Sequence, residues 1–349
     1  MIDMVHGIGT PYAGNPHERL DDGEVISTAT PSRGFLHKEL KMATGVGEEG
    51  KEIRSARLSS CFIAYLDILG FKEVVKRTSF EQLKSIVDDF TLEFARAVDD
   101  SRDIKTDAGN VVTKISLENI KVRIVSDSIC VWTENDDRLN QFDNLLHIVN
   151  AMLDSGVKHG LPLRGCVNYG ELFSGKIEMP DDVTLDCSFD NSSAVYGRAL
   201  VEAYELEGQM DWSGAILTPK AWAKIVAEFE RCKGAERAIR ASSATCAEDW
   251  FNHYPYFVWY DVPFKRGKRK AIAFNWNYRS GHTFSEEMIR RAFTPPRCES
   301  LDEGIKTKLN ETVRFYEYTK RIAELCGAGL VKKLPIPDMA YIFTDLQNN

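Results

Sequence analysis

Two aspartates sixty positions apart are the residues of this sequence whose types and setting point most directly to chemistry. Asp67 stands inside "CFIAYLDILGFKEVV", Cys61 to Val75, an apolar and β-branched run that ends at Gly70; Asp127 stands in Ser126-Asp127-Ser128, at the centre of "VRIVSDSICVW". A carboxylate in a run that reads as a buried strand costs several kcal/mol unless a cation, an arginine or a set of donors meets it. Two carboxylates brought together repel, and one takes up a proton unless hard divalent cations such as Mg²⁺ or Mn²⁺ bind between them and phosphate oxygens. Two such ions would hold a nucleoside triphosphate, lower the pKa of an attacking hydroxyl and stabilise charge at the α-phosphorus.

For the two aspartates to meet, their strands must be neighbours. The run from Cys61 to about Ile68 reads as a strand with a turn at Gly70, followed by a helix in "SFEQLKSIVDDFTLEFARAV", where Leu83, Ile86, Val87, Phe90, Phe94 and Val98 mark one face. "NIKVRIVSDSICVW", Asn119 to Trp132, alternates and breaks at Asp127, which predicts two short strands with Asp127 at the tip of the turn. A helix in "LNQFDNLLHIVNAMLDSGVKHG" ends at Gly160, and "LPLRGCVNYGELF" is the next strand. The order βαββαβ predicts an α+β fold, a ferredoxin-like antiparallel layer with helices on one face, in which the first strand and the central hairpin are neighbours. Beyond it come a helix in "GRALVEAYELE", a strand and helix in "GAILTPKAWAKIVAEFERC", a hairpin in "FVWYDVPFKRGKRKAIAFNWN" and a long helix from Leu301 to Gly327. The expected division is an N-terminal extension over 1–58, a catalytic domain over 59–235, and a hairpin and helical addition over 236–349.

The 349 residues are 43% hydrophobic and 28% charged, an ordinary composition for a folded chain. A net charge of −8 offers no general basic face to DNA or RNA. Eight cysteines without a Cys-x-x-Cys pair suggest neither a zinc ribbon nor a redox motif, and no histidine spacing suggests a metal site. No apolar stretch is long enough for a membrane span and the N-terminus lacks a leader pattern, so the expected location is the cytoplasm.

The segments "YLDILGF", "VRIVSDSICVW", "LPLRGCVNYGELFSG" and "VYGRALVEAYELE", spanning Tyr65 to Glu207, resemble in order the class III nucleotidyl cyclases. The likeness is greatest to the Pycsar pyrimidine cyclases, bacterial antiphage enzymes that make cyclic UMP or cyclic CMP. The resemblance implies a homodimer with two sites across its interface, and two Mg²⁺ or Mn²⁺ ions held by Asp67, Asp127 and the Ile68 carbonyl. It implies phosphate contacts from the Gly70-Phe71 turn, as helix starts give anions, and from Arg164, and a base contact from Arg123. It also implies a separate cyclic-nucleotide-sensing effector. Where adenylyl and guanylyl cyclases carry a ribose-steadying asparagine and a transition-state arginine, this chain has Val201 and Glu205, with Arg198 as a possible substitute.

Tyr65, two residues before Asp67, shares its strand face and suits the wall of a base pocket. A ring there leaves room for one pyrimidine, and a guanidinium, which only donates, fits the O4 of uracil better than the amino group of cytosine. The expectation is therefore UTP to cyclic UMP, with CTP as the alternative. The bland readings are a capping or salt-bridged Asp67, a turn Asp127, solvated Arg123 and Arg164, a core Tyr65 and a solvated hairpin tip at "KRGKRK". Rival functions are a degenerate cyclase-like nucleotide binder and a palm-type nucleotidyltransferase.

Overall fold

A computed structural model describes residues 57–100, 104–105, 111–113, 120–134, 139–175, 194–232, 256–279, 284–294 and 301–327. The expected N-terminal extension lies outside them, except for residues 57–58, which open the first strand.

Strand β1 (Arg57–Ile68) leads through Gly70 into α1 (Phe71–Arg77) and α2 (Phe80–Asp100). The expected face of α2 is borne out as far as Phe90, with Phe90 buried and Leu83, Ile86 and Val87 half-buried; the side chains of Phe94 and Val98 lie outside the described ones. A small separate hairpin, β2 (Ile104–Lys105) and β3 (Val111–Thr113), comes before β4 (Ile120–Val125) and β5 (Ser128–Thr133). Helix α3 (Leu139–Lys158) and the long β6 (Leu163–Gly175) complete the βαββαβ unit. β1 pairs antiparallel with β5 on one side and β6 on the other, and β4 pairs with β5, so the neighbour relation expected of a ferredoxin-like layer holds.

The sheet grows beyond that layer to eight strands. β7 (Ala194–Tyr196) pairs with β6, and after α4 (Arg198–Glu207) the chain enters β8 (Gly214–Leu217), parallel to β6. After α5 (Pro219–Cys232), the hairpin β9 (Phe257–Phe264) and β10 (Gly267–Phe274) extends the sheet through β8, in the order β4-β5-β1-β6-β8-β10-β9. The sheet is therefore mixed where an antiparallel one was expected: α4 serves as the crossover that returns the chain for a parallel strand. Short helices α6 (Trp276–Arg279) and α7 (Glu286–Ala292) and the long α8 (Glu303–Gly327) follow. No helix among the described residues is long and apolar enough to cross a membrane.

Both faces of β1 are covered. Phe62, Ala64, Leu66 and Ile68 point to the α3 side, where the rings of Phe62 and Phe142 lie 4.4 Å apart. Helices were expected on one face only, yet α4 lies on the other: the Asn168 amide donates to the Ala199 carbonyl over 3.0 Å, and the rings of Tyr65 and Tyr204 meet edge-on at 5.7 Å. This second face carries Asp67.

Candidate active site

Asp67 is the penultimate residue of β1, directly opposite Ser128 on β5 and Arg164 on β6. Asp127 follows Ser126 in the two-residue turn between β4 and β5, and its carbonyl accepts the Ile68 N–H over 2.9 Å. That backbone bond fixes Asp127 beside the end of β1, and both side chains are partly exposed. Ser126 has φ 57°, an unusual conformation for a residue with a Cβ, and the turn that needs it is the one presenting Asp127. The structure thus brings the two aspartates together at one end of the sheet.

The charges around Asp67 do not balance. Burial first, then the carboxylates of Glu207 and Asp127, push its carboxyl from 3.8 up to about 7, against the opposing pull of Arg164 and Lys308. Arg164 is near, with Nη2 3.9 Å from an Asp67 oxygen, but it is committed elsewhere. Its Nε and Nη2 both hold Glu207, and Nη1 donates to the Met210 carbonyl over 2.6 Å. Arg164 is buried, at 8% exposure, so the residue expected beside the polyphosphate is held in an ion pair with Glu207. Gly165, next to it, has no side chain because a Cβ there would sit 2.0 Å from the Tyr65 carbonyl oxygen.

Tyr65, Cys130 and Arg123 are successive cross-strand partners and so share the face of Asp67. The Tyr65 hydroxyl is 2.7 Å from that of Ser128, and burial above all pushes the phenol up to about 12. Arg123 is half-exposed and near enough to Cys130 to act on its thiol. Tyr65 and Arg123 therefore flank the ground beside the aspartates. Gly70, at φ 74°, turns the chain into α1, where Glu73 and Val74 N–H groups return to the Gly70 carbonyl and those of Phe71 and Lys72 have no intrahelical acceptor. Val201 and Glu205 lie exposed on α4, as does Tyr204. Of "KRGKRK", Lys268 reaches Glu311 of α8 at 3.0 Å and Arg269 lies over the Phe264 ring.

No protein-family model matches the chain, and no curated protein matches it. Solved structures do. The guanylyl cyclase Cya2 is 12% identical with a TM-score of 0.35, over 63% of this chain and 92% of that one. The monomeric guanylyl cyclase domain of the RhoGC fusion protein from the aquatic fungus Blastocladiella emersonii is 14% identical with a TM-score of 0.35, over 49% and 88%. A bacterial light-regulated adenylyl cyclase is 13% identical with a TM-score of 0.33, over 68% and 99%. At these scores the likenesses carry no weight for the chemistry, which rests on Asp67, Asp127 and their surroundings.

Among the described residues no group of three or more His, Cys, Asp or Glu side chains is arranged to hold a metal ion. The donor set at the end of β1 is smaller: the carboxylates of Asp67 and Asp127. It fits a hard cation that keeps water and substrate oxygens as its other ligands, because Asp67 is a partly buried carboxylate whose nearest arginine is already spent on Glu207.

Glu207 is the residue that the sequence reading missed. With Ala199 and Ala203 it forms the buried stripe of α4, at spacings of four, and a carboxylate on such a stripe is the signal that something cationic lies opposite.

Proposed function

We propose that this chain is a divalent-metal-dependent nucleotidyl cyclase, acting on UTP in preference to CTP and releasing pyrophosphate and the 3′,5′-cyclic nucleotide. The observation that carries the reading is the meeting of Asp67 and Asp127 at the open end of β1, where the arginine nearest Asp67 is bound to Glu207.

In this reading Asp67, Asp127 and the Ile68 carbonyl would hold Mg²⁺ or Mn²⁺, which when bound would neutralise phosphate charge and lower the pKa of the ribose 3′-hydroxyl. The 3′-hydroxyl gives up its proton to water as its oxygen bonds the α-phosphorus, and the bond from that phosphorus to the oxygen bridging to the β-phosphate breaks, so pyrophosphate leaves with the electron pair. Glu207 keeps Arg164 from collapsing onto Asp67, which preserves Asp67 as a ligand while Arg164 lends its positive field to the phosphate end of the site. The Gly70-Phe71 turn offers N–H groups to phosphate oxygens. Tyr65, braced by Ser128 and Tyr204, walls the base, and Arg123 on the same face donates to uracil O4.

The resemblance of the four segments between Tyr65 and Glu207 supports the remaining parts of the proposal: a homodimer, an antiphage role, and a separate effector that senses the cyclic product. Incubating the protein with each of the four ribonucleoside triphosphates and Mg²⁺ or Mn²⁺, followed by product analysis, tests the reading. Cyclic UMP in excess is the expected result. Nucleotide binding without turnover would favour a degenerate binder, and polymer products a palm-type transferase.

A further inference from the structure

Helix α8 belongs to the part of the chain beyond the βαββαβ layer, yet it is clamped to the floor of the site. The Ser213 N–H donates to the Thr312 hydroxyl over 2.8 Å, and the Ser213 hydroxyl donates to the Leu163 carbonyl over 2.8 Å. Both side chains are buried, and Leu163 is the residue before Arg164. The Thr312 hydroxyl in turn donates to the carbonyl of Lys308, one turn earlier, over 2.7 Å. Thr312 and Lys308 lie one turn apart on the same face of α8, so the bridge carries Lys308 toward the charges of the site, where it acts on Asp67, on Glu207 and on Arg164.

Lys308 is half-buried, and among the described residues no carboxylate forms an ion pair with it. Its neighbours on α8 do pair, Lys306 with Glu303 and Arg314 with Glu311. Around its ammonium stand Arg164, Asp211 from the stretch after α4, Lys265 from the β9–β10 hairpin, and Asp302 before α8. Asp302 is already used in capping α8, accepting the Ile305 N–H over 2.8 Å. Burial and the two like charges hold the ammonium below the ordinary lysine range. Asp211 and Asp302 offset part of that cost through space, but neither makes a direct ion pair with the ammonium, and an anion bound there would offset the rest.

We propose that Lys308 is a contact for the terminal phosphates of the substrate, so that the C-terminal helix completes the triphosphate end of the site. The ligand class rests on the nucleotide reading above, whereas the placement rests on the Ser213–Thr312 bridge and the unpaired ammonium.

The test is calorimetric binding of inorganic tripolyphosphate to the full chain in the presence of Mg²⁺. Lys308→Ala should weaken binding by about tenfold or more, the scale of one lost charge-assisted hydrogen bond. Lys308→Arg should stay within about threefold of wild type, and so should Lys306→Ala, which removes an exposed lysine from the same helix. Thermal melting of each variant reports on folding. A wild type that does not bind tripolyphosphate, or a folded Lys308→Ala that binds it as wild type does, overturns the proposal. Loss of tripolyphosphate binding in Lys308→Ala, in a protein that cyclises none of the four triphosphates, upholds the phosphate site and sinks the cyclase reading.

Discussion

Strand β1 presents Phe62, Ala64, Leu66 and Ile68 to the α3 side and Cys61, Ile63, Tyr65 and Asp67 to the α4 side. On the first face every side chain is apolar and nearly all are fully buried. Their stabilisation is hydrophobic burial and close packing, for which only size and shape matter. On the second face apolar character gives way along the strand, from Cys61 and Ile63 through a hydroxyl-bonded tyrosine to an aspartate whose pKa is far from its ordinary value. One strand thus anchors the fold with one face and delivers charge to the open end of the sheet with the other. A displaced charge whose nearest arginine is bound to another carboxylate belongs to the face that acts.

The largest expected break of this contrast is in activity. Asp67→Ala or Asp127→Ala should each lower cyclase turnover by more than about 100-fold, the upper end for losing a residue that only supports a metal ligand, while circular dichroism and melting show an intact fold. Near-normal turnover at saturating Mn²⁺ would end the two-carboxylate proposal.

On the opposite face the effect should be reversed in kind. Leu66→Ala removes a fully buried side chain and should cost about 2–5 kcal/mol of stability by denaturant unfolding, with turnover per folded molecule nearly kept. Wild-type stability in this variant would deny that the α3 face carries the fold.

Arg123→Ala sharpens the comparison within the acting face. A guanidinium reading uracil O4 should give a preference for UTP over CTP of roughly 5- to 150-fold in kcat/KM, equivalent to about 1–3 kcal/mol, and the variant should lose it. A wild type that prefers CTP, or an unchanged preference in the variant, would show that Arg123 does not read that position.

The smallest expected effect is in the pH dependence of stability without metal. The folded pKa of Asp67 is raised to about 7 from 3.8. Its protonated form therefore stabilises the fold fully below about pH 4, and that contribution is lost as the pH rises through 7. Asp67→Asn in EDTA should melt like wild type in acid and increasingly above it toward pH 8. Adding Mn²⁺ should narrow the gap by stabilising wild type alone. A gap that does not change with pH would mean that the Asp67 charge is already balanced in the folded chain.

Much of this molecule is legible in order of chain. The apolar run to Ile68, the face of α2, the break at Asp127 and the basic tip of the β9–β10 hairpin are local patterns, each set by residues within a few positions of one another. They were enough to place β1 beside the Ser126-Asp127 turn and so to pair the two aspartates, because the βαββαβ order leaves few ways to close a sheet. Their chemical type, acidic residues at strand ends, was written in the sequence as well.

Only the tertiary structure decided what surrounds them. Arg164 and Glu207 are 43 positions apart and meet because α4 crosses the sheet on the Asp67 face, which nothing in either segment announces. Lys308 reaches the same ground through Thr312 and Ser213, 99 positions apart. The parallel pairing of β8 with β6 likewise depends on where a crossover helix sets the chain down. Strand register and helix docking settle such encounters, and they follow from burying the whole apolar surface at once. The sequence by itself determined which carboxylates would stand at the end of β1; the packing of α4 and α8 determined which cation is spent on Glu207 and which is held near it without a direct ion pair.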